Sequence, residues 1–173
     1  MKKIFTIFIF FYISLILFLP RENIYFTLEK QLQKMTISLS NETIENKFYY
    51  SKISDASIIW EDTEIGLIES ISLKPWIFYN SFEIENIIFN SDVREFLPKR
   101  IEKISLKQSI FSPKTLFIDA EGDFGKISGF LDEEENKLHL ELALSDEGNL
   151  KYRPFLTKFK YSNNLWIYDE ILK

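Results

Sequence analysis

The stretch NKLHLELALS, residues 136–145, places Leu138, Leu140, Leu142 and Leu144 on one side of an extended chain and His139, Glu141 and Ala143 on the other. Strict twofold alternation marks a strand with one buried face. An amphipathic helix would repeat its apolar residues every three or four positions. The pattern returns upstream. In EIGLIESISLK, Ile65, Leu67, Ile71 and Leu73 share one face, opposite Gly66, Ser70, Ser72 and Lys74. In IEKISLKQSI, Ile104, Leu106 and Ile110 alternate with Lys103, Ser105, Lys107 and Ser109, and TLFIDAEG groups Leu116, Ile118 and Ala120. Further strands are expected at 36–40, 53–60, 83–90 and 124–131. YRPFLTKFKYS (152–162) is expected to form a short helix over one mouth of the sheet, followed by a last strand in NLWIYDEIL. No Pro/Gly/Ser-rich linker interrupts residues 36–173. The expected fold class is therefore mainly β: one antiparallel domain, groove-like or sandwich-like, with a short helix near the C-terminus.

Ahead of this domain, MKKIFTIFIFFYISLILFLP opens with Lys2 and Lys3 and then runs sixteen residues, Ile4 to Leu19, without a charge. At 1.5 Å per residue that is about 24 Å of helix, slightly short of a ~30 Å hydrocarbon core, and the flanking lysines can snorkel to make up the difference. A cleaved signal peptide is the competing reading, but the run ends in LFLPRE with no small-x-small cleavage pattern, which favours an uncleaved signal anchor. Residues 1–20 are thus expected to be a single-pass inner-membrane anchor, with Ile4, Phe8, Phe11, Leu15 and Leu19 in lipid. Lys2 and Lys3 would stay cytoplasmic and the bulk of the chain would be periplasmic. In RENIYFTLEKQLQKM, Ile24, Phe26, Leu28, Leu32 and Met35 recur at mostly helical spacings, so residues 21–35 are expected to form a juxtamembrane helix. Without Lys2 and Lys3 the exported part carries 19 basic against 26 acidic residues, a net charge of −7. Anionic headgroups would repel it, leaving the anchor to hold it at the membrane. The same acidic balance argues against a nucleic-acid partner.

The side-chain inventory offers little for catalysis. There is no cysteine, and His139 is the sole histidine, so neither thiolate nor multi-histidine sites can form within one chain. EGDFGKISGFLDEEEN gathers Gly122, Gly125 and Gly129, three of the chain's five glycines. A phosphate loop would need them at a strand-to-helix transition with a lysine aimed at phosphate. Here an acidic turn and a leucine-alternating strand follow, and Glu121, Asp123 and Asp132 would repel phosphate. The glycines read as a hairpin, with Gly122 at the turn and Gly125 and Gly129 at bulges or close backbone approaches. Glu133, Glu134 and Glu135 read as a solvated turn tip, because cation ligands come from alternating loop positions. His139 is expected to face away from the leucines as an exposed residue. NET at 41–43 is a chance-level sequon, and no pair of the acids is singled out for glycoside cleavage. No catalytic residue, metal or cofactor is expected.

Aromatic residues make up 16% of the chain, with 17 Phe and 8 Tyr. KPWIFYNSFEIENIIF packs Trp76, Phe78, Tyr79, Phe82 and Phe89 into a short span. These residues either fill a core or, with Leu138, Leu140 and Leu142, form an apolar face that accepts a lipid tail or a partner's strand. Pro75 and Pro98 could protect sheet edges.

The anchor running into LPRENIYFTLEKQLQKMTISLSNETI, the glycine-bearing GDFGKISGFLDEEENKLHLELALSD and a helical ending over FLTKFKYSNNLWIYDE together resemble the type II secretion system protein N family in its shorter bacterial form. The resemblance implies an inner-membrane component with a periplasmic β domain, associated with export of folded proteins, and no catalytic residues to carry over. Such proteins are similar to the wider group of anchored β-groove proteins that handle lipids. The leading expectation is a non-enzymatic docking or assembly factor that contacts other secretion components or a second copy of itself. The alternative is a carrier for lipid or lipopolysaccharide with an apolar groove, similar to the anchored periplasmic subunit of lipopolysaccharide export.

Overall fold

The computed structural model describes residues 36–47, 50–75 and 78–172, with backbone alone at positions 46, 47 and 75. The expected anchor (Ile4, Phe8, Phe11, Leu15, Leu19), the juxtamembrane helix at 21–35 and Trp76 lie outside the described residues. Eleven strands, β1 (Ile37–Ser40), β2 (Thr43–Lys47), β3 (Tyr50–Trp60), β4 (Thr63–Pro75), β5 (Tyr79–Phe89), β6 (Arg100–Ser109), β7 (Ser112–Gly122), β8 (Gly125–Asp132), β9 (Lys137–Leu144), β10 (Lys160–Ser162) and β11 (Leu165–Ile171), belong to one sheet. The path is β1-β3-β4-β5-β6-β7-β8-β9-β11-β10, every pairing is antiparallel, and β2 also pairs with β3. The expected mainly antiparallel β class is therefore observed.

Chain chemistry explains the meander. Glu61 and Asp62 (φ 48 and 66) close β3–β4, and Asn163 and Asn164 (φ 51 and 62) close β10–β11, each as a two-residue turn with both residues left-handed. Such turns match the twist of the flanking strands, and short polar side chains tolerate them best. The β7–β8 hairpin turns at Asp123–Phe124 between paired Gly122 and Gly125, the latter at φ 114. The glycine cluster is the expected hairpin. At Gly129 a Cβ would lie 2.1 Å from the carbonyl oxygen of His139, a close backbone approach as read from the sequence. β1 and β2 keep one register along β3, from Ile37 opposite Trp60 to Lys47 opposite Tyr50, and are one edge strand broken at Asn41 (φ 61).

The ending differs from expectation. The helix is α1 (Asp146–Tyr152), capped by the Ser145 hydroxyl, which accepts from the Gly148 N–H at 2.9 Å. Beyond a short 3₁₀ helix at Arg153–Phe155, residues 156–170 are not helical and lead into β10 and β11. The Asn163–Asn164 pair decides this, because two consecutive left-handed residues stop a helix and start a hairpin.

Strict alternation also fails along a seam that crosses several strands. Asp55 in β3 (φ 59) and Asn86 in β5 (φ 54) are left-handed, both face Glu69 across the ladder, and the β6–β7 register slips between Ile101 and Lys103. Along this seam apolar spacing changes from two to three: Ile53 to Ala56, Ile68 to Ile71, Ile84 to Ile87, Ile101 to Ile104, all within one core cluster. A residue off the extended path makes the following side chains exchange faces, so the apolar face continues past the seam. The Asn86 amide donates to the Glu69 carboxylate there. One consequence is a correction. Leu67, expected to share the face of Ile71, is 48% exposed, whereas Ile68 is 5% exposed.

Two clusters form the interior. The first joins Leu39, Ile53, Ala56, Ile58, Ile65, Ile68, Ile71, Ile87 and Phe89, with Val93 and Leu97 of the β5–β6 connection against it. The second joins Phe124, Leu142 and Leu156 with Tyr152, Phe159 and Trp166, where α1 and its 3₁₀ extension close one end of the sheet.

Candidate functional site: the two faces of the sheet

Register decides which side chains share a face. One row crosses the whole sheet: Ile44, Ile53, Ile71, Ile84, Ile104, Ala120, Ile127, Leu142, Trp166, Tyr161. A parallel row on the same face runs Leu73, Phe82, Leu106, Ile118, Gly129, Leu140, Tyr168. A third contains Leu116, Leu131 and Leu138. Over β3 and β4 the first row is buried. From β6 to β9, Ile104, Leu106, Ile118, Ala120, Ile127, Leu131, Leu138 and Leu140 keep intermediate exposure.

The residues expected to form a binding face therefore divide. Phe82, Leu138, Leu140 and Leu142 lie on this apolar face, with Leu142 in the second cluster. Phe89 is buried in the first cluster. Phe78 sits at one end of the sheet, where its carbonyl accepts from the Ile110 N–H at 3.1 Å. There Phe78, Tyr79, Ile110 and Phe111 form an exposed rim, with Phe111 at 89%. Thr36 enters at the opposite end, where its carbonyl accepts from the Glu61 N–H.

The other face is polar, and its charges alternate. One row reads Glu85, Lys103, Glu121, Lys126, and the next reads Glu83, Ser105, Asp119, Ser128, Glu141. Glu83 binds Lys74 at 2.8 Å and Lys103 at 3.2 Å. The Lys74 hydrogen bond, and then Lys103, hold its carboxyl below the usual range, and Glu83 in turn raises Lys74. A third row carries Lys107, Phe117, Phe130, His139 and Asp169. His139 faces away from the leucines as expected, but it is not a bare surface residue. Its Nδ1 lies 2.8 Å from Asp169, its Nε2 3.4 Å from Glu141, and its ring sits against Phe130. The Asp169 hydrogen bond, with Glu141 adding to it, raises the imidazole above its ordinary value.

On this polar face a trough of about 290 Å³ is lined by Lys103, Ser105, Lys107, Asp119, Ala120, Glu121 and Lys126. Its floor is a serine between long side chains. Sequence reasoning grouped Lys103, Ser105 and Lys107 correctly but could not bring β7 and β8 beside them, because strand pairing is not written in any one segment. The acidic tip Glu133–Glu135 is exposed and wraps its own turn, with Asp132 accepting from the Glu134 and Glu135 N–H groups. Among the described residues no three His, Asp or Glu side chains converge as metal ligands, and no helix is long and apolar enough to cross a membrane. No family model, curated protein or solved structure matches the chain.

Proposed function

We propose that this protein is a non-enzymatic lipid-binding module, anchored in the inner membrane by residues 4–19, whose periplasmic sheet takes an acyl chain in an apolar groove. The observation that carries the reading is the partly exposed apolar field from Ile104 to Leu140, contributed by four successive strands of one sheet. Each acyl CH₂ moved onto it would contribute roughly 0.8 kcal/mol. Two short edges support a face rather than an edge as the working surface. β10 has three residues, and the opposite edge is broken at Asn41, so neither offers a long ladder for strand addition.

The test is mass spectrometry of lipid retained by the full chain extracted in mild detergent, beside Leu140→Glu. Stoichiometric phospholipid or lipopolysaccharide in the wild type, lost in the variant with an unchanged circular dichroism spectrum, is the expected result. A folded, lipid-free wild type overturns it. A second reading, docking within a protein secretion apparatus, draws on the exposed rim of Phe78, Tyr79, Ile110 and Phe111 at the end of the sheet opposite Thr36. A photo-crosslinker at position 111 that captures a secretion component would favour it.

A further inference from the structure

The polar face holds charges that the fold leaves unused. Ser105 is 2% exposed, lies at the bottom of the trough, and its hydroxyl has no hydrogen-bond partner. A buried hydroxyl without a partner is disfavoured unless something else supplies one. Around it, Lys103 is engaged by Glu83. Lys107 and Lys126, and equally Asp119 and Glu121, make no ion pair among the described residues, although Glu121 and Lys126 stand directly opposite in register. Two free cations and two free anions thus line one depression whose size lies at the lower edge of small-molecule sites, roughly 300–1,000 Å³.

Their arrangement selects the ligand. Ser105 and Lys107 are on β6, and Asp119, the cross-strand partner of Ser105, is on β7 with Glu121 two residues along. Adjacent strands are about 4.8 Å apart, close to the separation of the two charges in a compact zwitterion. A simple anion would leave Asp119 and Glu121 facing it, and a simple cation would leave Lys107 and Lys126. We propose that this trough binds a phosphoethanolamine group, with its phosphate on the Ser105 hydroxyl and Lys107 and its ammonium on Asp119 and Glu121. The site lies on the face opposite the apolar field and goes beyond the lipid-groove reading. The group can come from a soluble molecule or from a lipid headgroup.

The experiment is calorimetric titration of the full chain, in phosphatidylcholine nanodiscs, with soluble phosphoethanolamine, inorganic phosphate and ethanolamine. Saturable one-to-one binding of phosphoethanolamine is expected, at least tenfold tighter than either half. Lys107→Gln and Asp119→Asn should each weaken it about tenfold, and Ser105→Ala severalfold, with circular dichroism unchanged. Asp119→Asn should leave phosphate binding undiminished. Adding phosphatidylethanolamine to the nanodisc distinguishes the sources: a lowered apparent affinity for the soluble ligand identifies the headgroup, and an unchanged one identifies a soluble ligand. No saturable binding, phosphate binding as tightly as phosphoethanolamine, or retained affinity in both charge variants overturns the proposal. Lipid retention is not the readout, so this site and the apolar groove fail independently.

Discussion

Ile68 and Leu67 are neighbours in β4, and the seam assigns them opposite fates. Strict alternation from Ile71 would bury Leu67 and expose Ile68, whereas the structure has Ile68 5% exposed and Leu67 48% exposed. Truncating either to alanine removes the same three carbons. At Ile68 the transfer contribution is about 2.4 kcal/mol at ~0.8 per carbon, and the cavity left behind raises the cost to about 3–4 kcal/mol. At Leu67 roughly half of that surface already faces water and no cavity forms, so about 1 kcal/mol is expected. Urea unfolding of the full chain, followed by tryptophan fluorescence, separates the two. With m near 1.5 kcal/mol/M, Ile68→Ala should lower the midpoint by about 2–2.7 M and Leu67→Ala by about 0.7 M. An unchanged m is required for the comparison to report stability. A lysine pair sharpens it, since Leu67→Lys should fold and Ile68→Lys should not. If Leu67→Ala is the costlier change, the left-handed residues Asp55 and Asn86 do not shift the apolar face and the seam is refuted.

His139 should make stability fall as pH rises. Its folded-state pKa is raised, chiefly by Asp169, so the protonated ring stabilises the fold below the ordinary value and the benefit is lost as pH climbs through the raised one. Thermal unfolding at about pH 6 and about pH 8 should show a larger drop for wild type than for His139→Gln, and equal drops would contradict the Asp169 contact. Gly129→Ala should cost on the order of 2–3 kcal/mol in the same urea assay, because its Cβ would meet the His139 carbonyl oxygen at 2.1 Å and the β8–β9 ladder must give way. A neutral effect would show that the strands part there without resistance.

Twofold alternation alone determined that this chain makes an antiparallel sheet, because side-chain period is a local property of extended backbone. The leucines of β9, the lysine–serine–lysine of β6 and the hairpin at Gly122–Gly125 were all legible from it. So was His139 turning away from the leucines. The last strand in NLWIYDEIL was legible as well, but the edge strands β2 and β10 were not: three to five residues with mixed polarity give little periodicity, and only the Asn163–Asn164 pair could have marked the β10–β11 turn. Three further features belong to the tertiary structure. The seam through Asp55, Glu69 and Asn86 requires neighbouring strands to shift together, so within β4 alone Leu67 looks buried. Phe82 and Phe89 meet for the same reason: seven residues apart, strict alternation would set them on opposite faces, and the left-handed Asn86 between them brings both against the first cluster. The trough exists only because β6, β7 and β8 lie side by side: its serine floor, three lysines and two carboxylates come from segments that no local pattern connects. Period sets the face within one strand, and register across strands sets which faces meet.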